Sequence, residues 1–106
     1  MASLRGLDRR LYPWAAALLD LAAREGWDVA VTSVRRSYSQ QARLYRNYLR
    51  GLSRYPAAPP GRSLHQVGRA FDLRAAEAVL ERLGAIWEQW GGTWGGRGED
   101  PIHFEA

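Results

Sequence analysis

The sequence predicts an α+β domain in which a small, mostly antiparallel sheet carries helices packed on one side. Three stretches place apolar residues at helical spacing. Short alternating or apolar runs bounded by turn residues lie between and after them. The resulting order, α-β-α-loop-β-α-β, suits helices set against a small sheet. At 106 residues the chain has room for one core, so residues 1–106 are expected to form a single domain.

The stretch "YPWAAALLDLAAREG" reads as the first helix. Pro13 suits a first turn, Leu18, Leu19 and Leu21 build an apolar face, and Gly26 is a natural stop. "WDVAVTSV" alternates as a strand, with Val29, Val31 and Ser33 expected on one face and Ala30, Thr32 and Val34 on the other. "RSYSQQARLYRNYLRG" is a second helix. Ser37 and Gln40 form a capping box at its start, and Leu44, Tyr45, Tyr48 and Leu49 make an apolar stripe opposite Arg43, Arg46 and Arg50. The Pro- and Gly-rich "GLSRYPAAPPGRS" is a loop. "AFDL" is a short strand, and "RAAEAVLERLGAIWEQWGG" is a third helix with Gly84 as a weak point. "TWGGRGED" is a turn-rich connection, and "PIHFE" is a last strand. No internal repeat interrupts this order.

Composition narrows the function classes. A hydrophobic content of 46% with five Trp excludes a disordered chain. The absence of cysteine excludes disulfide scaffolds, thiolate-ligated zinc and thiol catalysis. The net charge is +4, and every basic residue is arginine. Nine Arg stand against four acids in residues 1–53, and six against seven in 54–106, so the basic excess sits in the first half. Such a surface favours an anionic partner, whether nucleic acid, membrane or cell wall, although coding bias alone would also enrich arginine. No recognised nucleic-acid motif accompanies the charge, so nucleic acid is not expected. "MASLRGLDRRLYPW" has no apolar signal-like run, and "AAALLDLAA" is too short to span a bilayer, so a soluble protein without membrane insertion is expected. A monomer is expected as well.

Without cysteine, the residues able to hold a transition metal are His65, His103 and the acids. Both histidines fall in or beside strand segments that follow loops, and Asp72 lies on a strand. Two histidines and one carboxylate form a catalytic zinc set with one position open; each histidine could instead be a lone surface or core residue. Asp100 stands three residues before His103 in "EDPIH". It could take a proton from water and pass it to a leaving amine, with Glu99 as the rival and a plain turn role as the alternative. Glu105, two residues past His103, could orient the imidazole or be a terminal charge. Gly68 would let the backbone turn so that Asp72 returns toward His65. Ser63 would share a face with His65 and bond either a peptide or the loop backbone. Arg36 is suited to a peptide carboxylate or a developing oxyanion, and Arg35 is expected at the surface. Gln41, one turn into the second helix, could face the same pocket or solvent.

"SLHQVGRAFD" resembles the Ser-x-His-x-x-Gly-x-Ala-x-Asp motif of the zinc D-alanyl-D-alanine carboxypeptidase family, which includes phage L-alanyl-D-glutamate endopeptidases. "SVRRSYSQQARLY" is similar to the family's upstream segment, and "GGTWGGRGEDPIHFE" to the closing strand of its endolysin branch. The resemblance implies a zinc peptidase with the fold shared by hedgehog signalling domains. His65, Asp72 and His103 would hold Zn²⁺, Asp100 would be the general base, Arg36 would contact substrate or transition state, and Ser63 would line the site. The substrate would be the peptide stems of peptidoglycan. The expected activity is an endolysin-type L-alanyl-D-glutamate endopeptidase, released at lysis. The alternatives are a D-alanyl-D-alanine carboxypeptidase or dipeptidase exported to the wall, and a non-catalytic wall-binding module. Two departures stand out: Val34 and Arg35 replace the usual Gly-Tyr pair, and in "DPIH" an isoleucine separates the proline from the histidine.

Overall fold

The computed structural model describes residues 3–106. Three helices, α1 (Tyr12–Arg24), α2 (Tyr38–Leu49) and α3 (Glu77–Gln89), accompany four strands, β1 (Ala30–Ser33), β2 (Ala70–Arg74), β3 (Thr93–Trp94) and β4 (His103–Glu105). The strands pair antiparallel throughout in the order β1-β2-β4-β3. The α+β class and the antiparallel sheet are as expected, with β3 added inside the stretch expected to be a plain connection. Two residues are too few for alternation to reveal a strand. The helices, however, do not all pack on one side: α1 and α3 cover the core face, whereas α2 adds no residue to the core cluster and borders the opposite face.

The two faces of β2 divide the molecule. Phe71 and Leu73 point into the core, while Asp72 points the other way. On the core face, Ala15, Leu18 and Ala22 of α1 and Leu80, Leu83 and Trp87 of α3 are buried against the sheet. Phe71 stacks on Phe104 at 5.4 Å, and Trp87 meets Phe71 edge-on at 5.2 Å. Trp87 Nε1–H donates to the Glu105 carbonyl at 2.9 Å, which ties α3 to β4.

Gly84 is a packing requirement rather than a weak point. The Trp94 indole occupies the space a Cβ would need, so α3 can approach β3 only with hydrogen at this position. Arg74 ends β2 instead of beginning α3, which starts at Glu77. The capping box of α2 is present in both directions, with Ser37 Oγ accepting from Gln40 N–H and Gln40 Oε1 accepting from Ser37 N–H.

The alternation expected along β1 is broken by a bulge. Val31 lies opposite Leu73, and Ser33 lies opposite Asp72. Residues directly opposite share a face, so Thr32 is the extra residue and Ser33 turns away from the face of Val31. Val34 is then buried in the core. Among the described residues no helix is long and apolar enough to cross a membrane.

Candidate metal centre

His65, Asp72 and His103 come together on the sheet face opposite the core helices, with one ligand atom from each lying within 4.8 Å of the others. Register brings two of them together, because Asp72 on β2 is directly opposite His103 on β4. His65 arrives differently. It sits on a short 3-10 helix, Leu64–Val67, and not on a strand. Ser63 caps that helix, its hydroxyl accepting from His65 N–H at 3.2 Å, so the serine lines the groove but serves the loop backbone. Gly68 ends the helix with φ +73°, as the expected tight return toward Asp72 requires. A Cβ there would stand 2.6 Å from the Gly6 carbonyl oxygen and 2.7 Å from the Arg35 guanidinium. Arg35 is exposed, as expected. It also straps the N-terminal segment to this turn by donating from Nε to the Gly6 carbonyl at 3.0 Å.

Each imidazole has its remote nitrogen committed. His65 Nδ1–H donates to the Val34 carbonyl at 2.6 Å, and Arg36 N–H donates back to the His65 carbonyl at 3.0 Å. His103 Nε2–H donates to Glu105 Oε1 at 2.6 Å, the orienting role open to Glu105 from its position on the strand. The nitrogens left facing the centre, His65 Nε2 and His103 Nδ1, lie 3.0 and 3.3 Å from the same oxygen, Asp72 Oδ1. Two ring lone pairs and a carboxylate oxygen cannot crowd together bare. Either added protons or one cation must lie between them.

Asp72's second oxygen is held separately. Arg36 Nη2–H donates to Asp72 Oδ2 at 2.7 Å, Nε–H to Ser33 Oγ at 2.9 Å, and Nη1–H to Gln41 Oε1 at 3.1 Å. All three nitrogens of Arg36 are thus engaged within the protein. Gln41 is fully buried and passes the chain of bonds on, donating from Nε2 to the Ala58 carbonyl at 2.9 Å. It borders the groove rather than solvent, with both polar ends used inside the protein. Ser33 and the Val34 carbonyl carry no site signal in the sequence, because the β1 bulge that directs them is invisible to a strict two-residue period.

The electrostatics follow from this packing. Burial would raise the Asp72 carboxyl, but hydrogen bonds with His103 and His65 and the charge of Arg36 outweigh it and hold the group well below the usual carboxylate range. For His103, burial opposes protonation, yet Asp72 and Glu105 prevail and raise its pKa. Asp100 is raised chiefly by burial, against the opposing pull of His103. Its Oδ1 is buried and has no hydrogen-bond partner among the described residues, whereas the rival Glu99 is exposed. The turn that carries Asp100 is fixed from two sides: His103 N–H donates to the Asp100 carbonyl at 3.1 Å, and Trp94 Nε1–H donates to the Pro101 carbonyl at 2.8 Å.

Together these groups line a groove of about 770 Å³ whose far wall comes from α2 and the loop after it, including Tyr45, Tyr48 and Tyr55. A smaller cavity of about 350 Å³ between Trp14, Trp87 and Trp90 shares no lining residue with it. The donor set fits a divalent metal: two imidazoles with fixed tautomers, one carboxylate, and an unpartnered carboxylate oxygen nearby.

Comparison with known proteins agrees with this architecture. The family model VanY, D-alanyl-D-alanine carboxypeptidase, matches residues 5–93, a span that holds His65 and Asp72 and stops short of Asp100 and His103. No curated protein sequence matches the chain significantly. Among solved structures, the chain is similar to the vancomycin resistance D,D-pentapeptidase VanY from a VanB-type cassette, in complex with Zn(II). The TM-score is 0.74 at 21% identity, covering 99% of this chain and 76% of that one. It is similar to the LdcB LD-carboxypeptidase, with TM-score 0.69 and 20% identity over 93% of this chain; it spans 58% of that structure's length. It is also similar to the L-Ala D-Glu endopeptidase ChiX of Serratia marcescens, with TM-score 0.64 and 23% identity, covering 96% of this chain and 81% of that one. At these identities the likeness is one of fold.

Proposed function

We infer that this chain, which belongs to the VanY D-alanyl-D-alanine carboxypeptidase family, is a zinc peptidase that hydrolyses the peptide stems of peptidoglycan. One observation carries the reading. Three metal-ligand atoms from His65, Asp72 and His103 converge within 4.8 Å, and both imidazoles already have their remote nitrogens bonded to acceptors. The Zn(II) bound to the VanY pentapeptidase supports the choice of metal.

A zinc ion held there supplies a Lewis acid that polarises the scissile carbonyl and acidifies water. The protein supplies the rest. Val34 and Glu105 fix the two ring tautomers. Arg36 holds Asp72 Oδ2 and leaves Oδ1 turned to the centre. Asp100, with an unpartnered oxygen in the groove, takes the proton from the attacking water and delivers it to the leaving amine. Ser63 shapes the mouth by capping the helix that carries His65.

Two bonds are candidates. An L-alanyl-D-glutamate endopeptidase is supported by the aspartate at the base position in "EDPIHFE" and by the likeness to ChiX. Removal of a terminal D-alanine is supported by the family description. Purified peptidoglycan sacculi, digested with chelated and zinc-restored protein and read by mass spectrometry of the muropeptides, test both levels. Activity that returns with zinc is expected, and activity that survives complete metal removal would overturn the reading. Loss of a single terminal D-alanine identifies a carboxypeptidase, and a cut after L-alanine identifies the endopeptidase. Retained zinc without any cleavage would leave a wall-binding module.

A further inference from the structure

We propose that Arg62 is the carboxylate-recognising residue of the groove, an assignment that rests on the reading of the chain as a stem-peptide hydrolase. Stem peptides are anionic, and the groove around the centre carries three acids of its own, Asp72, Asp100 and Glu105. A substrate carboxylate entering it needs a cation that is not already spoken for. Arg36 would be the obvious choice from the sequence, but each of its nitrogens donates inside the protein, to Asp72, Ser33 and Gln41. The two histidines face Asp72. Arg62 lines the same groove, is exposed, and makes no ion pair among the described residues.

Its backbone is set in advance. Pro59 to Arg62 form a β-turn closed by Arg62 N–H donating to the Pro59 carbonyl at 3.1 Å. Pro60 and Gly61 occupy the central positions, with Gly61 at φ +89°, the arrangement of a type II turn. Gly61 N–H in turn donates to Gln66 Oε1 at 2.6 Å, so the turn is tied to the 3-10 helix that carries His65. Arg62 therefore leaves a stiff turn at a fixed offset from the centre. A guanidinium so placed can take a carboxylate with two parallel N–H donors at little ordering cost.

A stem peptide offers two sources of that carboxylate, its C-terminus and the free carboxyl of an isopeptide-linked glutamate. Three synthetic peptides separate them: the free acid, its C-terminal amide, and a form amidated only at glutamate. Binding is measured by calorimetry on zinc-loaded Asp100→Asn protein, in which turnover is suppressed, with Arg62, Arg62→Gln and Arg62→Lys. Arg62→Gln should weaken binding of the free acid on the order of tenfold to a hundredfold. It should leave one of the two amides unchanged, and that amide names the source. Arg62→Lys should recover part of the loss. Equal binding of all three peptides by the Arg62 protein overturns the assignment, and so does an equal loss on all three with Arg62→Gln. Carboxylate-selective binding through Arg62 without cleavage by the zinc-loaded wild-type protein keeps the assignment and sinks the peptidase reading. No binding of any stem peptide overturns both.

Discussion

Glu105 Oε1 accepts from His103 Nε2 at 2.6 Å, and that contact decides which nitrogen of His103 faces Asp72. The two residues are two apart on β4 and therefore share a face of the sheet. Glu105→Ala frees the ring to turn and to change tautomer. Zinc affinity, read by competition with a chromogenic chelator, is expected to fall about tenfold to a hundredfold. Glu105→Gln keeps an accepting oxygen and should lose less.

Zinc should stabilise the folded chain strongly. His65, Asp72 and His103 are gathered only in the native state, so metal binding by them would be linked to folding. At a free zinc concentration about 100 times the dissociation constant, the gain is about 2.7 kcal/mol. For a chain of this size that corresponds to a rise in thermal midpoint of roughly 10–20 °C. Calorimetric scans with and without chelator check it, and coincident midpoints would contradict a metal centre.

Asp100 lines the groove beside His65, Asp72 and His103. Asp100→Asn keeps the shape and removes the proton-accepting carboxylate. Turnover should drop about 10²- to 10⁴-fold with zinc stoichiometry intact. A variant that loses its zinc would move Asp100 from proton carrier to ligand.

Arg36 holds the outer oxygen of a buried carboxylate. Arg36→Met strands that charge in the zinc-free protein, at a cost of about 3 kcal/mol in urea unfolding. Zinc restores a positive partner to Asp72 and should shrink the deficit. An equal deficit with and without zinc would place the role of Arg36 in packing alone.

Gly84→Ala sets a methyl group into the Trp94 indole. Overpacking at this contact should cost about 1–3 kcal/mol, read as a lowered thermal midpoint. Because Trp94 also holds the Pro101 carbonyl, the damage should reach the Asp100 turn and lower turnover as well.

The sequence carried the architecture and the residues that gather at the centre, because both rest on local signals. Apolar spacing marks α1, α2 and α3, Ser37 and Gln40 mark a cap, and His65, Asp72 and His103 stand out among few possible ligands. What escaped is what depends on partners distant in the chain. A two-residue strand such as β3 has no period to read. The sequence places His65 in or beside a strand, whereas it sits on a 3-10 turn, since turn type there depends on the Ser63 cap and the positive φ of Gly68. The sequence suits Arg36 to a carboxylate, but its bonds to Ser33 and Gln41 follow from the bulge and from how α2 docks, which no local pattern encodes.

The bulge at Thr32 has a wider consequence. It acts as a half-step in a thread: β1 enters with Val31 beside Leu73 and leaves with Ser33 beside Asp72. One surplus residue therefore re-addresses the chain from the greasy side of the sheet to the wet side just before Arg36. Deleting Thr32 would conserve every group of the centre in the sequence and still misdirect them. In this small domain the counting of residues between two side chains is as much a part of the chemistry as the side chains themselves.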